Sequence, residues 1–113
     1  MLGRSYAFMG KYEEAIECFK KALQVAQFSE DRLAIFFAQA DLGKTYFALG
    51  KCQEAIINYK ISLEITKEIG NEREEGQLWE QLGNVNYSLG EYQRAISCYN
   101  NSLKNAKKIR TIF

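Results

Sequence analysis

Apolar positions recur along the chain at helical spacing, and the pattern repeats every 40 residues. Leu42, Tyr46 and Leu49 lie three and four residues apart before Gly50, and a second run of this kind begins at Ala55. Residues with this spacing share one face of a helix, so each run predicts one amphipathic helix. The same pattern appears one period earlier and one period later. The sequence therefore predicts an all-α chain of three helix pairs, about six helices.

Identical residues accompany the repeated hydrophobic pattern. Glycine is predicted to end the first helix of each pair, because it adopts a positive φ without strain. Another glycine falls inside each first helix, where it costs roughly 1 kcal/mol against alanine and so needs a packing reason. We expect the second helix to cross closely there, with a small alanine opposite and aromatic rings around the crossing. In chain order, the turn glycines are Gly10, Gly50 and Gly90, the helical glycines Gly3, Gly43 and Gly83, and the alanines Ala15, Ala55 and Ala95.

The borders between copies contain residues that stop and start helices. Gly70 suits the position after a helix end and Asn71 can cap the next helix, while Ser29 or Asp31 takes the capping role one period earlier. The prediction is one domain over residues 1–113, with repeats at about 1–28, 29–70 and 71–113. Subtracting one period from the helix start near Arg32 makes the first helix look truncated.

The chain ends predict exposed apolar surface. The last helix offers apolar residues with no following helix to cover them, unless Ile109, Ile112 and Phe113 fold back. Repeat solenoids usually need polar capping elements at their ends. We therefore expect a segment of a longer array, or end-to-end self-association through the uncapped terminal helices.

These residues resemble the tetratricopeptide repeat family. Its pattern W-x-x-L-G-x-x-Y, followed by A-x-x-x-F and then P, is matched in part by each copy. The matching segments are Trp79-x-x-Leu82-Gly83, Leu2-Gly3-x-x-Tyr6, Leu42-Gly43-x-x-Tyr46, Ala15-x-x-x-Phe19, Ala55-x-x-x-Tyr59 and Ala95-x-x-x-Tyr99. The resemblance implies a right-handed superhelical solenoid of antiparallel helix pairs.

The chain departs from the family pattern at several positions. Gln39 stands in place of the Trp, Asn86 replaces a Tyr, and the Pro is absent. The period is 40 rather than 34, which agrees with a longer second helix. The chain thus looks like the long-repeat subgroup of kinesin light chains and of spindle-orientation scaffolds of the LGN type. Those proteins bind peptides of partner proteins, and the resemblance implies the same role here.

By resemblance, the first helix of each pair lines the concave wall of the superhelix. The expected partner-binding residues lie on its exposed side, where aromatic side chains could contact a peptide and polar ones could hold its backbone or acidic groups. Packing against a neighbouring helix is the alternative for the aromatic residues. The candidates are Arg4, Phe37, Ala40, Lys44, Phe47, Gln77, Glu80, Asn84 and Tyr87. A possible second contact on the convex face is Ile57 with Ile61.

Composition narrows the functional classes. The chain has 15 Lys plus Arg against 14 Asp plus Glu, no His and no Pro. A net charge of +1 gives no electrostatic case for nucleic acid or a membrane surface. Without His, imidazole metal sites and Ser-His or Cys-His pairs are excluded. We expect no enzyme activity, no cofactor and no metal.

Cysteine usage indicates a reducing compartment. Three Cys, odd in number and widely spaced, do not fit a disulfide framework, so a cytoplasmic protein is expected. The leading hypothesis is a protein-interaction scaffold that binds a peptide or helix of a partner in the concave groove. Alternatives are a peptide-sensing regulatory module for a fused effector domain and, less favoured, an RNA-binding helical repeat.

Overall fold

The computed structural model describes the backbone of residues 2–112 and the side chains of residues 2–108. Over that range the chain forms helices joined by short turns and contains no strand, which confirms the all-α class. The side chains of Ile109 and Ile112, and all of Phe113, lie outside the described residues. The helices are α1 (Leu2–Phe8), α2 (Tyr12–Phe28), α3 (Arg32–Ala48), α4 (Cys52–Ile69), α5 (Glu72–Ser88) and α6 (Tyr92–Ile112).

The turn inside each helix pair has the geometry that the glycine pattern predicts. Gly10, Gly50 and Gly90 all have φ between 77° and 78°. Around Gly50, the amide of Lys51 donates to the carbonyl of Tyr46 at 2.9 Å, and the Gly50 amide donates to Phe47. These two bonds form a Schellman motif, which satisfies carbonyls at the end of α3.

The turns between pairs are capped by side chains. Asp31 accepts a hydrogen bond from the Ala34 amide at 3.1 Å, and Asn71 accepts one from Glu74 at 3.1 Å. Asp31 is therefore the cap of α3, while Ser29 lies at the end of α2. Glu30 has φ 55° and occupies the register of Gly70, which has φ 79°. At this turn a glutamate adopts the left-handed conformation that glycine provides one period later.

The chain divides into two compact units, Met1–Ser62 and Leu63–Phe113. In the first unit α2 packs against both α1 and α3. Its core contains Ala15, Ile16 and Phe19 from α2 and Leu42 from α3, with Tyr46 and Leu49 packed against them. The buried Ser62 hydroxyl also donates to the Phe36 carbonyl at 2.9 Å and so ties α4 to α3.

The second unit is built on the pairing of α5 with α6. Leu78, Leu82 and Val85 of α5 are buried. Buried amides also join the two helices, because Asn105 donates to the Glu72 carbonyl at 3.0 Å and Asn86 donates to the sulfur of Cys98 at 3.8 Å. The contact is thus closed by polar side chains as well as by apolar packing.

The glycines inside the first helices lie where a second helix comes close, as predicted. An ideal Cβ on Gly43 would lie 2.8 Å from two ring atoms of Tyr59, and one on Gly83 would lie 2.5 Å from Tyr99. Gly3 faces Phe19 in the same way, at 2.7 Å. The nearest neighbour at each glycine is an aromatic ring, whereas the sequence interpretation placed an alanine opposite. The glycine therefore makes room for an aromatic ring close to the helix backbone.

Two further observations concern the described helices and thiols. None of these helices combines the length and apolar character that a membrane crossing requires. Cys98 is buried, Cys18 and Cys52 are half-buried, and no disulfide joins these three side chains. Each thiol therefore lies in its own helix as a small side chain.

Candidate functional site

The predicted face of α3 carries two exposed and two half-buried side chains. Phe37 and Lys44 are exposed, whereas Ala40 and Phe47 are half-buried. Phe37 packs edge-on against Phe36, with ring centroids 5.0 Å apart, so its orientation is fixed by a buried neighbour. The face therefore presents one ordered aromatic ring and one cation, with less of Phe47 available to solvent.

Arg4 lies between α1 and this face of α3. Its Nε is 3.2 Å from Oδ2 of Asp41, and its guanidinium carbon is 5.9 Å from the centroid of the Phe37 ring. An exposed ion pair of this kind contributes only about 0.2–1 kcal/mol. The pair instead orders the arginine, whose planar group then covers one side of Phe37.

A cleft of about 530 Å³ opens beside these residues in the first unit. Its walls are mostly apolar or aromatic, and its charged groups are Arg4, Asp41 and Lys44. Phe8 stands almost fully exposed at its wall. The lining residues are Arg4, Ala7, Phe8, Tyr12, Phe19, Asp41, Lys44, Thr45 and Ala48. A cleft of this size and lining suits an apolar side chain flanked by a charged group.

The charged side chains of the cleft differ in whether they have a partner of opposite charge. Asp41 pairs with Arg4, while no described side chain forms an ion pair or hydrogen bond with Lys44. Behind the cleft, burial and then the negative charge of Asp41 raise the pKa of Tyr59 to about 12. Tyr59 is thus a neutral phenol at physiological pH. The ammonium group of Lys44, which has no such partner among the described residues, is available to an incoming anion.

The predicted face of α5 in the second unit is exposed throughout. Gln77, Glu80, Asn84 and Tyr87 all reach solvent. Gln77 and Glu80 line a smaller cleft of about 210 Å³ beside Asn105. Its polar lining combines the carboxylates of Glu72 and Glu80 with the guanidinium of Arg73 and the amides of Gln77 and Asn105.

Two of these α5 side chains are engaged within the unit. Oδ1 of Asn84 accepts a hydrogen bond from the Tyr99 hydroxyl at 2.6 Å. The rings of Tyr87 and Tyr92 make an edge-on contact with centroids 5.4 Å apart. Asn84 therefore positions a core tyrosine, while most of the Tyr87 ring remains available.

The structure brings together only some of the residues selected from the sequence. Arg4 and Lys44 line the first cleft, and Arg4 also lies over the ring of Phe37. Phe37, Ala40 and Phe47 are not among the lining residues of the cleft. Sequence reasoning missed Asp41, although it lies on the helical stripe of Phe37 and Lys44 at steps of four and three.

Ile57 and Ile61 on α4 are both exposed. Among the described residues, no three His, Cys, Asp or Glu side chains are grouped so as to hold a metal ion.

Comparison with known proteins gives family matches at the sequence level. Two tetratricopeptide repeat models match, one over residues 1–68 and one over residues 76–109. No individual curated protein sequence matches the chain significantly. The first match alone covers more than half of the chain.

Solved structures share the fold at low sequence identity. The tetratricopeptide repeat domain of Arabidopsis FLU is 23% identical, with a TM-score of 0.88 over 95% of this chain and 90% of that one. BtubC (BKLC) from P. vanneervenii is 18% identical, with a TM-score of 0.91 over 96% of this chain and 45% of that one.

A third similar structure is that of a putative kinesin light chain from Podosopora anserina with nearly identical TPR-like repeats. It is 19% identical, with a TM-score of 0.81 over 96% of this chain and 53% of that one. The chain thus spans nearly all of the FLU domain but only about half of the other two. Identities this low establish the helical-repeat fold alone, and the family assignment comes from the sequence matches. The sequence matches show that the chain belongs to the tetratricopeptide repeat family.

Proposed function

We propose that this chain is a protein-interaction module that binds a short segment of a partner protein in the cleft of its first unit. Tetratricopeptide repeats generally mediate protein–protein contacts, and this general role is the starting point. The observation that carries the proposal is the pairing of apolar cleft walls with a lysine that no described carboxylate neutralises.

The chemistry of the cleft defines the segment that it would bind. Phe8, Ala7 and Ala48 offer apolar surface, and burying an apolar side chain there supplies affinity. Lys44 offers an ammonium group at the same cleft, which favours an Asp, a Glu or a carboxyl terminus beside the apolar residue. Arg4 is occupied by Asp41 and contributes mainly by holding Phe37.

The proposed role of the remaining predicted residues is secondary. Gln77, Glu80 and Tyr87 form an exposed face in the second unit that is suited to polar contacts with a protein segment. Asn84 is engaged with Tyr99, so we assign it a positioning role. Ala40 and Phe47 are half-buried, and we propose that they support the helix face more than they contact a ligand. We also propose a contact on the convex face through Ile57 and Ile61, which are both exposed.

A peptide-selection experiment tests the proposal. Random peptides displayed on phage would be selected on residues 1–113 and then compared on Lys44→Glu and Lys60→Glu variants. Lys60 is an exposed lysine outside the cleft, so its variant makes the same charge change elsewhere. We expect the selected peptides to pair an apolar residue with an acidic one. They should lose at least tenfold in affinity for Lys44→Glu and bind Lys60→Glu like the unmodified chain.

Two outcomes contradict this placement of the site. Peptides that bind Lys44→Glu as tightly as the unmodified chain would exclude the cleft. Selected peptides with neither an acidic residue nor a free carboxyl terminus would exclude the assigned role of Lys44, even if binding depended on Phe37 or Phe8.

The alternatives lead to different experiments. A regulatory module would transmit peptide binding to an effector domain, so peptide would alter the activity of a longer protein that contains this chain. An RNA-binding repeat would favour a basic surface, and the balance of 15 basic against 14 acidic residues supports a protein partner instead. We propose a binding function without catalysis and a cytoplasmic location, which the absence of a disulfide among the described cysteines supports. The assignment of residues 1–113 to one domain of three repeats stays a prediction.

A further inference from the structure

One face of α6 is apolar and exposed, as far as the side chains up to residue 108 are described. Ile96 is 52% exposed and Leu103 is 58% exposed, although both residues are apolar and lie on one stripe of the helix with Tyr92. Exposed apolar residues that share one helix face indicate a surface that contacts another molecule, whereas single ones need no explanation.

The internal repeat shows what covers this face elsewhere in the chain. Ile16 on α2 occupies the register of Ile96, and it is only 7% exposed because it packs in the core with Leu42 of α3. Leu23, in the register of Leu103, is half-buried against the same cluster. The covering element is therefore the first helix of the following pair.

The matching half of that contact is also exposed in this chain. On α3 the residues that cover α2 include Leu42, which is 2% exposed, together with Tyr46 and Leu49. One period earlier, Leu2 of α1 and Met9 in the turn after it occupy the registers of Leu42 and Leu49. Leu2 is 64% exposed, and Met9 is exposed as well.

The two exposed faces are thus copies of the two sides of an interface that already exists inside the chain. Ile96 and Leu103 repeat the residue types of Ile16 and Leu23, and Leu2 repeats that of Leu42. Both exposed faces consist of apolar side chains, so bringing these side chains together removes no charged group of theirs from water. We therefore expect the two exposed faces to fit each other, because their counterparts on α2 and α3 already pack together within the chain.

We propose that α6 of one copy binds α1 of a second copy, using the contact that joins α2 to α3 within each chain. The contact is heterologous, since two different faces meet, and each copy keeps one face open for another copy. This self-association does not depend on the cleft, because neither Leu2 nor Ile96 lines it. Each face offers only a few apolar side chains, so we expect a dissociation constant in the micromolar range or weaker.

Sedimentation velocity with complementary variants tests the proposal. The unmodified chain, in reducing buffer, should increase in average mass as its concentration rises from about 10 µM to about 1 mM, a range that brackets weak association. Leu2→Glu removes the α1 face and Ile96→Glu removes the α6 face, so each variant alone should remain a monomer. An equimolar mixture of the two should form a dimer, because each supplies the face that the other lacks.

The controls separate this contact from other modes of association. Leu33→Glu places the same charge at a similarly exposed leucine, 51% exposed, and should associate like the unmodified chain. Far-UV circular dichroism and thermal melting check that the variants fold. Met9→Lys and Leu103→Lys replace any variant that does not fold.

Several results would overturn the proposal. A chain that stays monomeric throughout the concentration range would do so. So would a Leu2→Glu variant that associates normally while Ile96→Glu does not, because this indicates a symmetric contact between two α6 helices. A mixture that gains no dimer, or a Leu33→Glu variant that loses association, would also exclude the proposed pairing.

Discussion

Replacing Gly43 by alanine tests whether aromatic packing dictates the glycines inside the first helices. A Cβ at this position would lie 2.8 Å from Cδ1 and Cε1 of Tyr59 and 3.1 Å from its Cγ. Carbon atoms in favourable contact are about 3.5–4.0 Å apart, so the ring and the helix would have to separate. Tyr59 is fully buried and has no open side toward which it could move.

The expected magnitude is a balance of two opposing effects. Alanine is favoured over glycine inside a helix by about 1 kcal/mol. Overpacking a core costs about 1–3 kcal/mol, and the three short contacts with a buried ring place this site in the upper part of that range. We therefore expect Gly43→Ala to lower the free energy of unfolding by about 1–2 kcal/mol, even though it introduces a better helix former.

Urea unfolding followed by circular dichroism measures this effect, and a double-mutant cycle assigns its cause. In a Tyr59→Leu background the ring is gone, so Gly43→Ala should become neutral or stabilise by up to about 1 kcal/mol. The coupling energy between the two positions should then be about 2 kcal/mol. A Gly43→Ala variant with a higher urea midpoint than the unmodified chain, or a cycle with no coupling, would refute the packing explanation.

Three further predictions concern single sites. Glu30→Gly should raise the free energy of unfolding by about 0.5–1 kcal/mol, because it relieves the left-handed backbone that Gly70 adopts freely; a thermal melt at or below that of the unmodified chain would contradict this. Asn71→Ala should lower it by about 1 kcal/mol through loss of the α5 cap, whereas Asn71→Asp should not. The pKa of Tyr59 rises from 10.0 to about 12 on folding, so the folded chain holds the phenol proton more tightly. This contribution is complete below pH 10 and is lost as pH rises toward 12; urea titrations over that range should show a steeper loss for the unmodified chain than for Tyr59→Phe.

The helices and turns follow from local chemistry, and for that reason the sequence predicted them well. Gly50 ends α3 because only a residue without a side chain takes its positive φ without strain, and Asn71 caps α5 through its own side chain. Because the sequence repeats every 40 residues, the same turn residues predict helix ends at the corresponding positions of each repeat. The choice between Ser29 and Asp31 was left open, because both residue types cap helices and only the backbone decides between them.

The candidate site was harder to predict, because its geometry depends on contacts between distant residues. Arg4 and Asp41 are separated by 37 residues in the chain, and their pairing follows from how α1 and α3 pack on α2. The sequence predicted that Phe37 and Phe47 share one face of a helix, and the structure places both residues in α3. It did not establish that Phe47 would be half-buried while Phe37 is held by Phe36 and Arg4. The spacing of residues in the sequence predicts on which side of a helix each one lies. The solvent exposure of its side chain depends on which neighbouring helix packs against that side.

The buried amide of Gln39 affects how variation among related chains is interpreted. This residue occupies the register where Trp79 stands one period later, and it is buried. Among the described residues, its Oε1 has no hydrogen-bond partner. An unpaired buried acceptor costs about 1–3 kcal/mol, so an apolar residue of similar volume would be tolerated or preferred here. Because the side chain cannot touch a ligand, differences between homologues at this position would report the quality of the core and carry no information about which partner is bound.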